Sequence, residues 1–309
     1  MAELAEDVDD FIRPESVPST ATTPTVEQAD HDDDGDASQR KASKTTPGSS
    51  SASTTRNAFT ELMKPKKPHQ PAAFKPSQSL ASKASQVIRG VWRGALIEYI
   101  TNPERFPTQV LRVTEHTVLI KDAFPKATIH LLLLPRSPEH YLLHPHAALA
   151  DEAFLAVVRN EAAVAARLAA AELARQLGSF SASMKARNEA MDRGVPFDEL
   201  PPGRDYGKEI KVGVHAHPSM AHLHVHVISR DMHSDRVRHR KHYNSFNTPF
   251  FVPLADYPLK EGDVRLETAY QNGNLAKDLV CWRCGKVFGN RFAELKKHLD
   301  EEFEEWKRE

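Results

Sequence analysis

The sequence predicts an α+β fold: an antiparallel sheet covered by helices, with a small finger after it and a disordered tail before it. Three observations lead there. Strand-like runs at 109–113, 117–121 and 128–134 precede one long amphipathic helix, and two more runs follow at 210–217 and 222–229. A Cys-x-x-Cys pair and a charged helix close the chain. Strands, then a helix, then strands again fit an α+β sheet better than the regular alternation of a parallel α/β one.

Residues 1–85 are rich in Ser, Thr, Pro, Ala and charge, as in KASKTTPGSSSASTTR. Such a segment buries too little apolar surface to offset chain entropy, and disorder is expected. The net charge of −1 over 309 residues hides unlike parts, since residues 1–36 carry −11, residues 37–78 carry +7 and the remainder +3. Lys64, Lys66 and Lys67 form a candidate nuclear-import signal, a solvated basic linker being the plainer alternative. No run approaches the roughly 18 apolar residues of a membrane span, and the acidic N-terminus lacks a signal-peptide layout. A soluble intracellular protein is expected, with the nucleus as its main location and a cytoplasmic fraction allowed.

From about Ser85 the pattern changes. VIRGVWRGALIEYITNPERF reads as helix, with Val87, Val91, Leu96 and Ile100 near one face and Asn102-Pro103 as its stop. The run TIHLLLLP is apolar enough for a central strand. Leu155, Val158, Ala162, Ala166, Ala169, Leu173 and Leu177 recur at helical spacing over 149–177, and Gly178 ends that helix. The polar stretch from Ser179 to Tyr206, containing Pro201-Pro202-Gly203, reads as a surface loop.

Twelve of the 16 histidines lie between His130 and His242, and the densest segment is HAHPSMAHLHVHVIS. Alternation along a strand puts His222, His224 and His226 on one face while Leu223, Val225 and Val227 point to the core. Stacked imidazoles suit a site needing a nucleophile and groups that titrate near neutral pH. A metal-binding strand and a solvated edge are the alternative readings of the same residues.

At the C-terminus, Cys281 and Cys284 are followed after 13 residues by His298, with Glu302 one helical turn further on. Cys-x-x-Cys presents two thiolates on a turn, and positions four apart share a helix face. A tetrahedral structural zinc held by Cys281, Cys284, His298 and Glu302 is expected; a redox dithiol is the alternative, without its βαβ setting. Two cysteines cannot form a disulfide framework.

The motif His222-Leu-His224-Val-His226-Val227-Ile228, with KDAFPKATIHLLLLP before it, HYNSFNT after it and the finger at the end, resembles the aprataxin family of the histidine-triad superfamily. The similarity runs from about Val87 to Trp306. The phosphopeptide-binding domain of animal members is not evident in residues 1–85. The resemblance implies a histidine-triad catalytic domain over 86–255 and a zinc-finger DNA-binding domain over 256–309. It implies a hydrolase that removes AMP from 5′-adenylated DNA ends through a covalent histidine–AMP intermediate, with activity on guanylate caps also in reach. His224 would be the nucleophile, flanked by His222 and His226. His215 would protonate the leaving 5′-phosphate, while Ser219, Lys126 and His130 would contact phosphate. No cofactor beyond structural zinc is implied for this chemistry. Partners would be adenylated nicked or broken DNA, RNA–DNA junctions included, with AMP as product, no membrane, and a monomer on DNA. His217 receives no role.

Arg230, Arg236, Arg238, Arg240 and Lys241, with Lys286, Arg291, Lys296 and Lys297 on the finger, offer a basic surface. The helix containing Trp92, Leu96 and Tyr99 offers a wedge against a terminal base pair, core packing being the alternative for each. Two other functions fit parts of the sequence. A general histidine-triad hydrolase acting on dinucleoside polyphosphates or AMP-amides would not need the finger. A non-catalytic nucleic-acid adaptor would not need His224.

Overall fold

A six-stranded antiparallel sheet, in the order β1-β2-β3-β5-β4-β6, organises the computed structural model, which describes residues 93–309. Its strands are β1 Val110–Val113, β2 Thr117–Lys121, β3 His130–Pro135, β4 Ile210–His215, β5 Val225–Ser229 and β6 Phe251–Pro253. The tail, the Lys64 cluster, Val87, Val91 and Trp92 lie outside the described residues.

Alternation along the strands sorts side chains into two cores. Leu119, Leu131 and Leu133 face α2 (Glu152–Leu177), whose Leu155, Val158, Ala162, Ala165, Ala169, Leu173 and Leu177 are buried. The helix starts at the Asp151 cap, whose side chain accepts from the Phe154 N–H. It ends before Gly178, which stays right-handed at φ −59°. The opposite parity, Val118, Ile120, Leu132 and Leu134, meets Leu96, Tyr99 and Ile100 of α1 (Leu96–Thr101), which ends at Asn102 as the sequence indicates. Every residue of β3 is buried, as befits a strand with a sheet neighbour on each side.

Register then gathers histidines on one face. Leu132 pairs with His226 and His226 with Gly213, so His226, His130 and His215, which share that parity, point to one side. Gly213 has a steric reason to be glycine: a Cβ there would stand 2.4 Å from the Val252 carbonyl oxygen and 2.7 Å from the Phe251 ring. Gly213→Ala is expected to cost about 1–3 kcal/mol by prising β4 from β6, measurable as a lowered midpoint in chemical denaturation.

Three elements differ from the sequence expectation. The stretch 179–206 contains an 11-residue helix, α3 (Ala182–Asp192), capped by the Ser181 side chain. Only Ala190 is buried along it, so it carries no apolar stripe to announce it. The helix docks on the C-terminus through the Ala182 N–H on the Arg308 carbonyl at 2.8 Å, and Arg204, further along the same stretch, places its guanidinium on the Trp306 carbonyl at 2.6 Å. The strand expected over 210–217 stops at His215, just ahead of the Pro218 turn. The strand expected over 222–229 begins only at Val225, where its pairing with β3 ends at Leu133 and that with β4 already at Gly213, so residues 222–224 pair with neither neighbour. Of the three motif histidines, only His226 therefore lies in a strand.

The C-terminal finger continues the same packing. A hairpin of β7 (Leu279–Val280) and β8 (Val287–Gly289) carries the Cys-x-x-Cys turn, and α6 (Phe292–Trp306) follows. Leu279, Cys281, Phe288, Leu295 and Leu299 form one core with Ile228, Met232, Tyr243 and Phe246. Trp306 reaches the core beneath α2. Between sheet and finger stand α4 (Arg240–Asn247) and α5 (Thr268–Ala276), joined by Asn244 donating to the Leu275 and Lys277 carbonyls at 3.2 and 2.8 Å.

Candidate active site and metal centre

On the histidine face of the sheet lies a cleft of about 630 Å³. Lys126, His130, His215, Ser219, His224 and His226 all line it. His222 does not; its ring packs beside Tyr141 with centroids 5.5 Å apart. What His222 contributes is its carbonyl, which lies 2.8 Å from His224 Nδ1. A carbonyl only accepts, so Nδ1 carries the proton and Nε2 keeps its lone pair.

A second chain of tautomers follows from a backbone donor. The Lys126 N–H donates to His130 Nδ1 at 3.1 Å, so His130 is protonated at Nε2. That nitrogen lies 3.0 Å from His226 Nδ1, which must accept, leaving the His226 proton on Nε2. Among the described residues His226 Nε2 and His215 Nε2 are buried and have no protein partner, so both are available to an oxyanion in the cleft. The Lys126 ammonium donates to the Phe124 carbonyl at 3.0 Å and sits at the same wall.

Burial keeps these imidazoles neutral. It is the first cause lowering His224, and it carries His215 and His226 well below the ordinary imidazole range, with neighbouring histidines adding to the effect. His130 falls to about 4, burial outweighing the Asp122 carboxylate 3.3 Å away. An anion bound beside His215 would supply the counter-charge that burial withholds and would raise that imidazole, while the proton already on His224 Nδ1 leaves its Nε2 lone pair free.

The sequence reading missed several neighbours. Asp122 lines the cleft and approaches His130, yet it carries no spacing signal beyond standing just past β2. Phe246 makes an edge contact with both His130 and His226, at 5.3 and 5.1 Å between centroids, and also packs on His215. His217, given no role, faces the cleft as well. Leu96 and Tyr99, offered as wedge residues, are 3% and 7% exposed and belong to the core.

In the finger, Cys281, Cys284, His298 and Glu302 each present one donor atom within 4.8 Å of the others. His298 Nε2 stands 3.1 Å from Cys284 Sγ and 3.0 Å from Glu302 Oε1. Tetrahedral zinc separates its sulfur, nitrogen and oxygen ligands by about 3.3 to 3.8 Å, so the donor set fits that ion with small rotations. Arg283 holds the other carboxylate oxygen of Glu302 at 2.5 Å, fixing the direction of its partner.

Comparison with known proteins agrees with this geometry. A family model described as the HIT domain matches residues 104–233, and one described as a C2HE / C2H2 / C2HC zinc-binding finger matches residues 247–305. The aprataxin-like protein of Saccharomyces cerevisiae is 37% identical over 221 residues, 69% of this chain and 96% of that protein. That of Schizosaccharomyces pombe is 34% identical over 219 residues, 70% of this chain and 83% of its own length. The crystal structure of the aprataxin ortholog Hnt3 from Schizosaccharomyces pombe matches with a TM-score of 0.52 at 30% identity, covering 68% of this chain and 92% of that one. The finger match implies structural zinc. With a histidine-lined cleft, a zinc-type donor set and similarity across nearly the whole of one relative, this chain belongs to the aprataxin-like family of HIT-domain proteins with a C-terminal zinc-binding finger.

Proposed function

We propose that the chain is a nuclear DNA-repair hydrolase that removes AMP from the 5′-adenylated ends left by abortive ligation, restoring a 5′-phosphate. The observation that carries the reading is the His224 imidazole, its Nδ1 tied to the His222 carbonyl at 2.8 Å while the ring lines an open cleft walled by cationic and N–H donor groups. His224 Nε2 attacks the α-phosphorus, the P–O bond to the DNA 5′-phosphate breaks, and a nucleotidyl-histidine forms. His215, protonated once phosphate charge has entered the cleft, donates its Nε2 proton to the departing phosphate oxygen, and the neutral ring then takes up the proton of the attacking water. Water then cleaves the P–N bond, releasing AMP and returning the lone pair to His224. His226 Nε2–H, Lys126 and the Ser219 hydroxyl stabilise the charge on the non-bridging oxygens, and His130 holds the His226 tautomer.

Residues 86–255 would carry this chemistry. Residues 256–309 would hold zinc through Cys281, Cys284, His298 and Glu302 and steady the DNA. Arg240, bonded to Asn290 of the finger at 2.8 Å, lines the cleft beside Lys241, so a basic margin runs from sheet to finger. RNA–DNA junctions and guanylate-capped ends share the reacting phosphate and enter the same substrate class. A monomer suffices, because one chain supplies every group named.

AMP release from an adenylated nicked duplex, set against release from a dinucleoside polyphosphate, tests the reading. A large preference for the duplex in kcat/KM is expected, and equal values would instead favour a general nucleotide hydrolase. A pH profile adds a second check. Only the neutral imidazole attacks, and the lowered pKa of His224 keeps it neutral below its ordinary 6.5. The acid limb of kcat/KM should therefore fall below pH 6.5, and a limb at or above that value would contradict the buried, carbonyl-tied His224.

A further inference from the structure

Residues 230–239 join β5, which carries His226, to α4, and contacts from two directions converge on them. From one side comes the segment between β2 and β3 that carries Lys126 and leads into His130. The Ser234 hydroxyl donates to the Pro125 carbonyl at 2.5 Å, directly before Lys126. The Asp231 carboxylate, 1% exposed, accepts from both the N–H and the hydroxyl of Thr128 at 2.9 Å.

The other side is the finger. Lys296 of α6 donates its ammonium to the Ser234 carbonyl at 2.7 Å, and the Trp282 indole N–H donates to the Asp231 carbonyl at 3.1 Å. His233 stacks flat on Phe303 at 4.0 Å between centroids and reaches Asp300 at 3.3 Å. Lys296, read from sequence as part of a DNA-facing surface, is thus spent on an internal carbonyl.

We infer that Ser234 and Lys296 are positioning residues, a latch through which the finger holds the Lys126 segment against the histidines. The chain of contacts is short: Lys296 to Ser234, Ser234 to Pro125, and then the Lys126 N–H, whose bond to His130 Nδ1 sets the tautomer passed on to His226. A charge-assisted bond to a backbone carbonyl resists displacement more than a neutral one. The finger would then serve the chemical step itself as well as the grip on nucleic acid. The inference rests on the reading of His224, Lys126 and His226 given above.

The test uses the full zinc-loaded protein in three variants. Lys296→Met keeps the aliphatic stem and removes the donor, Ser234→Ala removes the hydroxyl, and Lys296→Arg keeps a cationic donor. Zinc content and thermal midpoint are recorded for each. In Lys296→Met and Ser234→Ala, kcat for AMP release should fall about 10- to 100-fold, as for a group displaced by a fraction of an ångström, while KM for adenylated duplex stays near wild type. Amide exchange at Lys126 should speed up about tenfold, reporting a loosened segment. Lys296→Arg should recover most of both. Wild-type kcat and wild-type exchange at Lys126 in a folded, zinc-loaded Lys296→Met would overturn the latch. So would a change confined to KM, which would return Lys296 to the DNA surface. If the wild-type protein releases no AMP, the proposed function fails, and exchange at Lys126 still decides the latch on its own.

Discussion

Replacing His224 with alanine removes AMP release, with a loss on the order of 10³-fold or more, because without the nucleophile no covalent step precedes attack by water. The variant should fold. His224 borders an open cleft, and its ring bonds to the His222 carbonyl, which can turn to water when the ring is gone. Zinc content and affinity for adenylated duplex should match wild type, so a folded, DNA-binding, inactive protein is the expected result. His222→Ala should be milder, since the group used there is a backbone carbonyl that alanine also supplies. Steady-state rates of AMP release for the two variants measure the difference directly.

Removing zinc is expected to have the largest effect on stability, and its reach should exceed the finger. Structural zinc sites in small domains are worth on the order of 10 kcal/mol of apparent binding energy, so their loss melts whatever they hold. Here Cys281, Leu279, Phe288, Leu295 and Leu299 share one core with Tyr243 and Phe246, and Phe246 packs on His130, His215 and His226. Tyr243 also links the two parts through hydrogen bonds, donating to the Val280 carbonyl and accepting from the Trp282 N–H, each at 2.9 Å. Chelation, or Cys281→Ser, should therefore lower the thermal midpoint and also abolish hydrolysis of a small adenylated substrate that needs no DNA grip. Full activity on that substrate after zinc removal would show the finger to be dispensable for the chemistry.

Much of this arrangement is legible in the residues. The unbroken apolar run in TIHLLLLP and the helical spacing from Leu155 to Leu177 mark the central strand and its covering helix, because a strand buried on both faces and a helix buried on one each leave a strong pattern. Cys281, Cys284, His298 and Glu302 can be grouped from spacing because one hairpin and one helix carry all four. Less legible is what depends on pairing across the chain. That residues 222–224 leave the sheet shows only in the pairing of β5, which ends at Leu133 on one side and Gly213 on the other, while the alternation of His and apolar residues continues through the break. The helix Ala182–Asp192 hides because it buries little, and its hold on the C-terminal residues comes from backbone groups that composition does not reveal. Asp122 and Phe246 belong to the site only because the sheet register brings β2 and α4 beside His130 and His226. Lys296 carries the same lesson: as a letter it is surface charge, and in the fold it is an internal donor.

The central claim is that His224 becomes covalently adenylated. The direct measurement is a single turnover on a duplex bearing 5′-linked labelled AMP, quenched in alkali to preserve the phosphorus–nitrogen bond, then digested and read by mass spectrometry. The account predicts one labelled peptide, with AMP on His224, that forms and decays within the turnover and is missing from His224→Ala. Label on His222 or His226, complete AMP release with no labelled peptide, or solvent oxygen found in the DNA 5′-phosphate in place of AMP, would contradict it.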